Sequence, residues 1–538
     1  MSKDKFLWWQ HGIIYQVYPR SYQDSNGDGI GDLKGILQRL DYLQWLGVTA
    51  VWISPIYPSP MADFGYDIAD YKGIHPLFGS MEDFDALLAE AHRRNIRIVL
   101  DLVPNHTSYK HPWFLESKSS KDNPKRDWYI WKDALEDGAP PNNWLSVFGG
   151  PAWEWDETTG QYYYHAFLKE QPDLNWRNPA VQEAMLDVMR FWLDKGVDGF
   201  RVDVMWHMIK DEQYRDNPQN PDYQPHMATY EQLLPVYSTD QPEVHDIVQK
   251  MRNVLDGYDE RMMIGEIYLP IHKLVTYYGN DNNGAHLPFN FMLLSLPWEA
   301  KRIASAIDEY EGALPNNAWP NWVLGNHDQQ RITSRVGLQQ SRVAALLLLT
   351  LRGTPTIYYG EELGMRDVPI PPGEVQDPQG LNMPGLNLSR DPARTPMQWD
   401  ASDYAGFSSE KPWLRVSSTS KRVNVESQKA DPYSHLSLYR RLIALRQSEP
   451  SLKWGDYKPL YADGQTLAYI RQAEGEKAFL IVLNLSHRPS YITIPHHTIS
   501  GTIVLATSDE LEGSAVTERM ELSGDEGVII ELDAEIRP

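Results

Sequence analysis

At 538 residues the chain is too long for one compact unit, and two or three domains are expected. Its 42% hydrophobic and 23% charged residues are ordinary for a soluble globular enzyme, and no stretch approaches the apolar run needed to cross a bilayer. A formal net charge of −23 argues against nucleic acid and anionic membrane surfaces as partners, because phosphate binding needs a basic face.

Cysteine is absent, which excludes disulfides, thiol nucleophiles and cysteine-ligated metals. The first ten residues carry charges and then Trp8-Trp9 in place of a basic, apolar, small-residue leader, so a cytoplasmic location is expected. The 19 Trp and 30 Tyr offer flat faces that suit sugar rings as well as they fill a large core.

Short β-rich runs at 13–18, 50–53, 97–102, 199–204, 262–267, 287–291, 322–325 and 355–359 alternate with amphipathic helical stretches. The helical stretches fall at 33–46, 81–94, 181–195, 244–255 and 341–351. This pattern predicts an α/β fold, a (β/α)8 TIM barrel built from residues 1–106 and 176–454. Two intervals break the alternation. Residues 107–175, rich in Trp, Tyr, Pro and Gly, read as a small domain inserted after strand three. Residues 366–430 follow strand eight, carry Pro369, Pro371, Pro372, Pro378 and Pro384, and read as a long loop on the face where barrel enzymes do chemistry. After a helix at 437–446, runs at 466–470, 478–483, 490–494, 502–505 and 527–532 predict a C-terminal antiparallel β-sandwich over 455–538.

Catalytic residues of such barrels project from the C-terminal ends of strands. Those ends read Asp101-Leu-Val-Pro-Asn105-His106, Gly199-Phe-Arg201-Val-Asp203, Ile264-Gly-Glu266 and Gly325-Asn326-His327-Asp328. Arg201 and Asp203 are two apart and leave the strand on one face, so the guanidinium is expected to lower the Asp203 pKa, as a nucleophile requires. Glu266 follows Met262, Met263 and Ile264, an apolar setting that raises a carboxyl pKa and keeps a proton for a leaving group. His327-Asp328 adds a further carboxylate beside a neutral donor. Singly, each reads as easily as a structural ion pair, a helix cap or a loop pair. In order on successive strands, two such carboxyls about 5–5.5 Å apart are what a retaining glycosidase needs.

These four runs resemble the signature set of glycoside hydrolase family 13, the α-amylase family. Gln16-Val-Tyr-Pro-Arg-Ser21 extends the resemblance. Met61-Ala-Asp-Phe-Gly-Tyr-Asp67, Gln171-Pro-Asp-Leu-Asn175 and Arg394-Thr-Pro-Met-Gln-Trp399 resemble its α-glucosidase and oligo-1,6-glucosidase branch. The resemblance implies Asp203 as nucleophile, Glu266 as acid/base and Asp328 as transition-state stabiliser. His106, Arg201 and His327 match positions that hold the glucose, Tyr66 its stacking platform, and Phe148 and Phe167 its apolar wall. Asp63 and Arg394 match the pair that binds the terminal 4-hydroxyl and closes the pocket behind it, which implies exo action on small α-glucosides.

The run Asp24-Ser-Asn26-Gly-Asp28-Gly-Ile30-Gly-Asp32 is either a polar turn or the first half of an EF-hand-like loop, with Gly35 standing at position twelve. The resemblance implies a structural Ca²⁺ site on Asp24, Asn26, Asp28, Ile30 and Asp32, and no organic cofactor. In related enzymes Val after the nucleophile accompanies α-1,6 activity, and Val204 points that way, although Met205-Trp-His-Met-Ile-Lys-Asp211 departs from the oligo-1,6-glucosidase pattern. The expected partners are a short α-glucoside and a sugar or alcohol acceptor, bound by a monomer or homodimer. A dedicated glucosyltransferase or an isomerase such as trehalose synthase would use the same carboxylates. A non-catalytic relative would have lost them, and a binding module would need only the aromatics.

Overall fold

The computed structural model describes residues 6–492, 499–517 and 520–534. Eight parallel strands curl into a barrel: β1 (Ile14–Val17), β2 (Ala50–Ile53), β3 (Arg97–Leu102), β4 (Gly199–Val202), β5 (Met262–Gly265), β6 (Leu287–Pro288), β7 (Asn321–Val323) and β8 (Thr354–Tyr358). β1 pairs with both β2 and β8, Ile14 lying opposite Ala50 on one side and Thr356 on the other. Among the described residues no backbone ladder joins β6 to β7. Asn321 closes that gap with its side chain: Oδ1 accepts from the Asn290 N–H at 3.0 Å and Nδ2 donates to the Pro288 carbonyl.

Strand alternation sorts the side chains. Ile14, Trp52, Val99, Met262, Ile264 and Val323 meet inside the barrel, whereas Tyr15, Val51, Leu100, Phe200 and Met263 pack outward against the helices. Continuing the inward series to the C-terminal ends brings Asp101, Arg201, Asp203 and Glu266 to one mouth.

Several elements depart from the sequence expectation. β4 ends at Val202 and β5 at Gly265, so Asp203 and Glu266 sit on the loops just beyond. β6 has two residues, not the five of 287–291. The stretch 33–46 divides at Arg39 into helices Leu33–Gln38 and Leu40–Leu46. Helix Ala300–Ala313 follows β6, where the barrel alternation expects a helix, although the helical stretches named from the sequence do not include it.

Between β3 and β4 the chain forms helix Pro112–Ser117 and a three-stranded antiparallel sheet, in which Gln161–Tyr164 lies between Trp131–Lys132 and Trp153–Asp156. A third long interval separates β4 from helix Val244–Leu255 and holds only the short turns Met205–His207 and Thr229–Gln232. It is tied to the insertion after β3. The Trp144 indole donates to the Arg215 carbonyl at 2.9 Å, and the amides of Asn142 and Asn143 donate to the carbonyls of Tyr214 (3.0 Å) and Asn217 (2.9 Å).

The C-terminal part is a six-stranded antiparallel sheet in the order Asp456–Ala462, Thr466–Gln472, Ala478–Asn484, Gly527–Leu532, Ser500–Ala506 and Ala515–Thr517. Leu467, Tyr469, Phe479 and Ile481 on one face join the barrel's outer core, while Ala468, Ile470, Leu480 and Val482 on the other pack with Leu522. Leu522 belongs to a two-stranded ribbon of Ser490–Ile492 and Met520–Leu522, which makes a second layer. Of the predicted run 490–494, residues 493 and 494 lie outside the described residues.

Candidate active site

The barrel mouth opens into a cavity of about 960 Å³, lined by Asp63, Tyr66, His106, Phe148, Phe167, Asp203, Glu266, His327 and Asp328 among others. At its floor one guanidinium gathers three carboxyls. Arg201 Nη1 donates to Asp203 Oδ1 at 2.7 Å and to Asp101 Oδ1 at 3.0 Å, and Nη2 lies 2.7 Å from Glu266 Oε2. The guanidinium stacks over the Trp52 indole at 4.9 Å, which fixes its plane. Glu266 Oε2 also accepts from the Val204 N–H at 2.9 Å. One guanidinium thus holds both carboxyls side by side, the close pairing that a retaining glycosidase needs.

The electrostatics correct one expectation. Arg201 was expected to hold the Asp203 pKa down. Burial instead pushes it well above the carboxylate range, Arg201 pulls against that, and the Glu266 charge adds to the rise. One guanidinium shared among three buried acids cannot neutralise all of them. Burial likewise raises Glu266 against the pull of Arg201, and Asp101 rises to about 6 for the same reason. Burial thus favours a proton on the Asp203–Glu266 pair, which titrates as a unit.

Asp328 has the opposite setting. Burial opposes its ionisation, but His327, Arg390 and Arg394 outweigh burial and hold it far below the usual range. Its Oδ1 accepts from Arg394 at 2.8 Å and from Arg390 at 3.1 Å, and its Oδ2 lies 3.2 Å from His327 Nε2. Gln16 Nε2 stands 2.8 Å from His327 Nδ1, so Nδ1 accepts and Nε2 carries the proton toward Asp328. Tyr66 stacks on the His327 ring at 5.3 Å and donates its hydroxyl to Asp101 at 3.0 Å.

The expected pairing of Asp63 with Arg394 is corrected. Asp63 Oδ1 accepts from Arg390 at 2.7 Å, and Arg390 also binds Asp377 and lies over the Phe148 ring at 4.8 Å. Arg394 is buried behind Asp328, donating its Nε to the His327 carbonyl at 2.8 Å. Both arginines flank the turn Asp391–Ala393, four residues apart, and the RTPMQW run drew attention to the inner one only. His106 lines the cavity, with Nε2 3.0 Å from the Tyr66 carbonyl; burial lowers its pKa to about 4, so it is neutral. Phe148 and Phe167 meet edge to face at 5.5 Å. Reasoning from sequence missed Arg390 and the lining from the interval after β4, including His207, Tyr230, Leu233 and Leu234.

In the loop after β1 the side chains bond to their own backbone at alternate positions. Asp24 Oδ1 accepts from the N–H of Asn26 (2.9 Å), Asn26 Oδ1 from Asp28 (3.0 Å), and Asp28 Oδ1 from Ile30 (2.8 Å). Asp32 caps helix Leu33–Gln38 through the Gly35 N–H at 2.7 Å. Among the described residues no three acidic or histidine side chains form a metal-sized cluster. The oxygen-only donors still suit a hard cation, provided Asp24 gives up a bond such as the one it accepts from Ser408 at 2.6 Å.

Residues 16–455 match the family described as alpha amylase, catalytic domain. A probable alpha-glucosidase of Rhizobium meliloti (strain 1021) is 42% identical over 503 residues, 91% of each chain. An oligo-1,6-glucosidase of Parageobacillus thermoglucosidasius is 40% identical over 540 residues, covering 94% of this chain and 95% of that one. The crystal structure of the alpha-glucosyl transfer enzyme XgtA superposes with a TM-score of 0.92 at 38% identity, covering 98% and 99% of the two chains. On its strand-end carboxylates, its barrel and these matches, the chain belongs to the α-amylase family of glycoside hydrolases.

Proposed function

We propose that this chain is a retaining, exo-acting α-glucosidase that releases glucose from the non-reducing end of short α-glucosides and passes part of it to sugar or alcohol acceptors. The observation that carries this reading is Arg201 holding Asp203 and Glu266 on its two terminal nitrogens. Ionised Asp203 attacks the anomeric carbon while protonated Glu266 gives its proton to the departing oxygen, leaving a glucosyl ester on Asp203. Glu266, now a carboxylate, takes a proton from water or an acceptor hydroxyl, which discharges the ester with retained configuration. Asp328 stays ionised throughout and opposes the positive charge that develops on the sugar. The Asp63–Arg390 pair, backed by Phe148, supports exo action, since a chain cannot continue past it.

Initial rates on maltose, isomaltose, sucrose and trehalose, with the product anomer read by NMR, test the reading. An inverted anomer, or equal rates on long starch chains, would overturn it. The second reading is a dedicated glucosyl transfer enzyme, favoured by the resemblance to XgtA; free glucose measured against transfer products from maltose separates the two. We also propose a structural Ca²⁺ held by Asp24, Asn26, Asp28, the Ile30 carbonyl and Asp32, remote from the chemistry. The alternating Asx turns support it. Added Ca²⁺ is expected to raise Tm over a chelator-treated sample while leaving kcat alone; an unchanged Tm would refute it.

A further inference from the structure

A second cavity, of about 360 Å³, lies at the base of the barrel, the pole opposite the catalytic mouth. Its walls are residues just ahead of three strands: Glu260 and Arg261 before β5, His286 before β6 and Trp319 before β7. Trp9, from the helix Trp8–His11 that precedes β1, and Arg252, near the end of helix Val244–Leu255, complete them. The cavity therefore underlies β6 and β7, which no backbone ladder joins among the described residues.

This face of a barrel ordinarily serves stability, and its buried polar groups are expected to be paired. Here several are not. His286 Nδ1 accepts the Met263 N–H at 3.1 Å, and burial lowers the ring's pKa to about 3, so it is neutral and Nε2 carries the proton. Trp9 meets that ring edge to face at 4.9 Å. Arg252 donates from Nε to Asp256 at 2.7 Å and from Nη1 to the carbonyls of Asn282 (2.7 Å) and Gly284 (3.2 Å). Arg261 donates from Nη1 to the Asp259 carbonyl at 2.7 Å. Among the described residues, His286 Nε2 and Nη2 of both arginines have no partner. Arg261 Nε and Asn282 Oδ1 are buried without one as well.

Two arginines face three carboxylates in this lining, Asp256, Asp259 and Glu260, so it selects neither an anion nor a cation. Unpartnered donors beside carboxylate oxygens, with the rings of Trp9, Tyr258 and Trp319 in the same walls, match a neutral ring whose hydroxyls both donate and accept. The volume is near the lower end for small-molecule sites, about 300–1,000 Å³, which suits one such ring.

We propose that the base of the barrel holds a second, non-catalytic site for a monosaccharide, and that glucose, the product released at the mouth, is its ligand. The site goes beyond the α-glucosidase reading and takes from it only the identity of the sugar. Glucose bound there ties the starts of β5, β6 and β7 together, so accumulated product stiffens that side of the barrel.

Equilibrium dialysis with labelled glucose tests the site. The parent should bind one equivalent at the mouth and a second at the base. Asp328→Asn should lose the first only. His286→Asn keeps an oxygen where Nδ1 accepts from Met263 but has no donor in place of Nε2, and should weaken the second about tenfold. Leu7→Trp, which fills the cavity from its exposed rim, should abolish it. Both base variants should keep the mouth equivalent, which reports that they fold. A parent that binds glucose at the mouth alone, or a second equivalent that neither base variant weakens, would overturn the inference and leave the α-glucosidase reading intact. A base equivalent without one at the mouth would instead uphold the new site and count against that reading.

Discussion

Val204 donates its backbone N–H to Glu266 Oε2 at 2.9 Å from a φ of 36°, a left-handed conformation that a β-branched side chain resists. The Met205 N–H donates to the Glu266 carbonyl at 3.1 Å, so two successive amides grip the acid/base residue. Glycine reaches this φ without steric cost. Val204→Gly is expected to gain about 1 kcal/mol of stability, net of the entropy that glycine adds to the unfolded chain. Its kcat should fall about tenfold as Glu266 loosens. Thermal melts and initial rates on one preparation check both, and a variant less stable than the parent would show that the strain is not real.

Activity requires one proton on the Asp203–Glu266 pair. Burial raises both groups, so the acid limb of kcat/KM, set by the first ionisation of the pair, should lie above the ordinary carboxylate range of about 3.9–4.3. The alkaline limb follows loss of the pair's remaining proton. Arg201→Lys exchanges a planar fork for a point charge that cannot hold three carboxyls. Both limbs should then move to higher pH and the maximum should fall by about 10³-fold. A pH–rate profile of the two proteins decides.

Glu266→Gln removes the proton donor but spares the nucleophile. Release of an aryl leaving group with a low pKa needs little protonation, so a rapid burst of 4-nitrophenol from its α-glucoside should survive while maltose cleavage drops by about 10²–10⁴-fold. The burst should match the enzyme concentration, because the glucosyl ester on Asp203 then waits for a general base. Stopped-flow absorbance reads it; no burst would argue against a covalent intermediate.

Arg390 bridges Asp63, Asp328 and Asp377, each within 3.1 Å. Arg390→Lys keeps the charge but cannot make the three contacts together. KM for maltose should rise about tenfold or more, and the variant should lose discrimination against longer α-glucans, because the closed end of the pocket slackens. Rates on maltose and maltoheptaose provide the comparison.

Glu361 lies buried behind β8, bonded to the Tyr439 hydroxyl at 3.0 Å, and burial raises its pKa to about 8. A carboxyl whose folded pKa exceeds its unfolded value of about 4.3 contributes stability below the unfolded pKa and loses it as pH climbs through the folded one. Wild type should therefore lose stability between about pH 4.3 and 8 relative to Glu361→Gln, which cannot ionise. The Tm advantage of Glu361→Gln should widen across that window and then level off. A constant difference would show that Glu361 does not titrate there.

The barrel was legible because β-strand alternation carries its own direction. The inward series ending in Asp101, Asp203 and Glu266 can be read off the sequence once the strands are placed. What was lost depends on contacts that run across the chain. Arg390 was passed over because its partners Asp63 and Asp328 are 327 and 62 residues away. Arg201 lowers the Asp203 pKa as expected, but burial beside two further acids outweighs it, and no local motif reports how deeply a strand end is buried or how many groups divide one charge. The interval after β4 was missed because its order comes from Asn142, Asn143 and Trp144 of another segment, not from any period of its own.

A ring completed by one side chain has a preferred place to breathe. The Asn321 amide latches β6 to β7 where every other neighbouring pair is zipped by backbone, and the nearby Asn290 Nδ2 has no partner. Amide protons around Phe289 and Trp322 should exchange with solvent ahead of those on β1 to β4. β6 adjoins β5, the strand that ends beside Glu266, so the weakest hoop of the cask runs next to the residue that must deliver the proton.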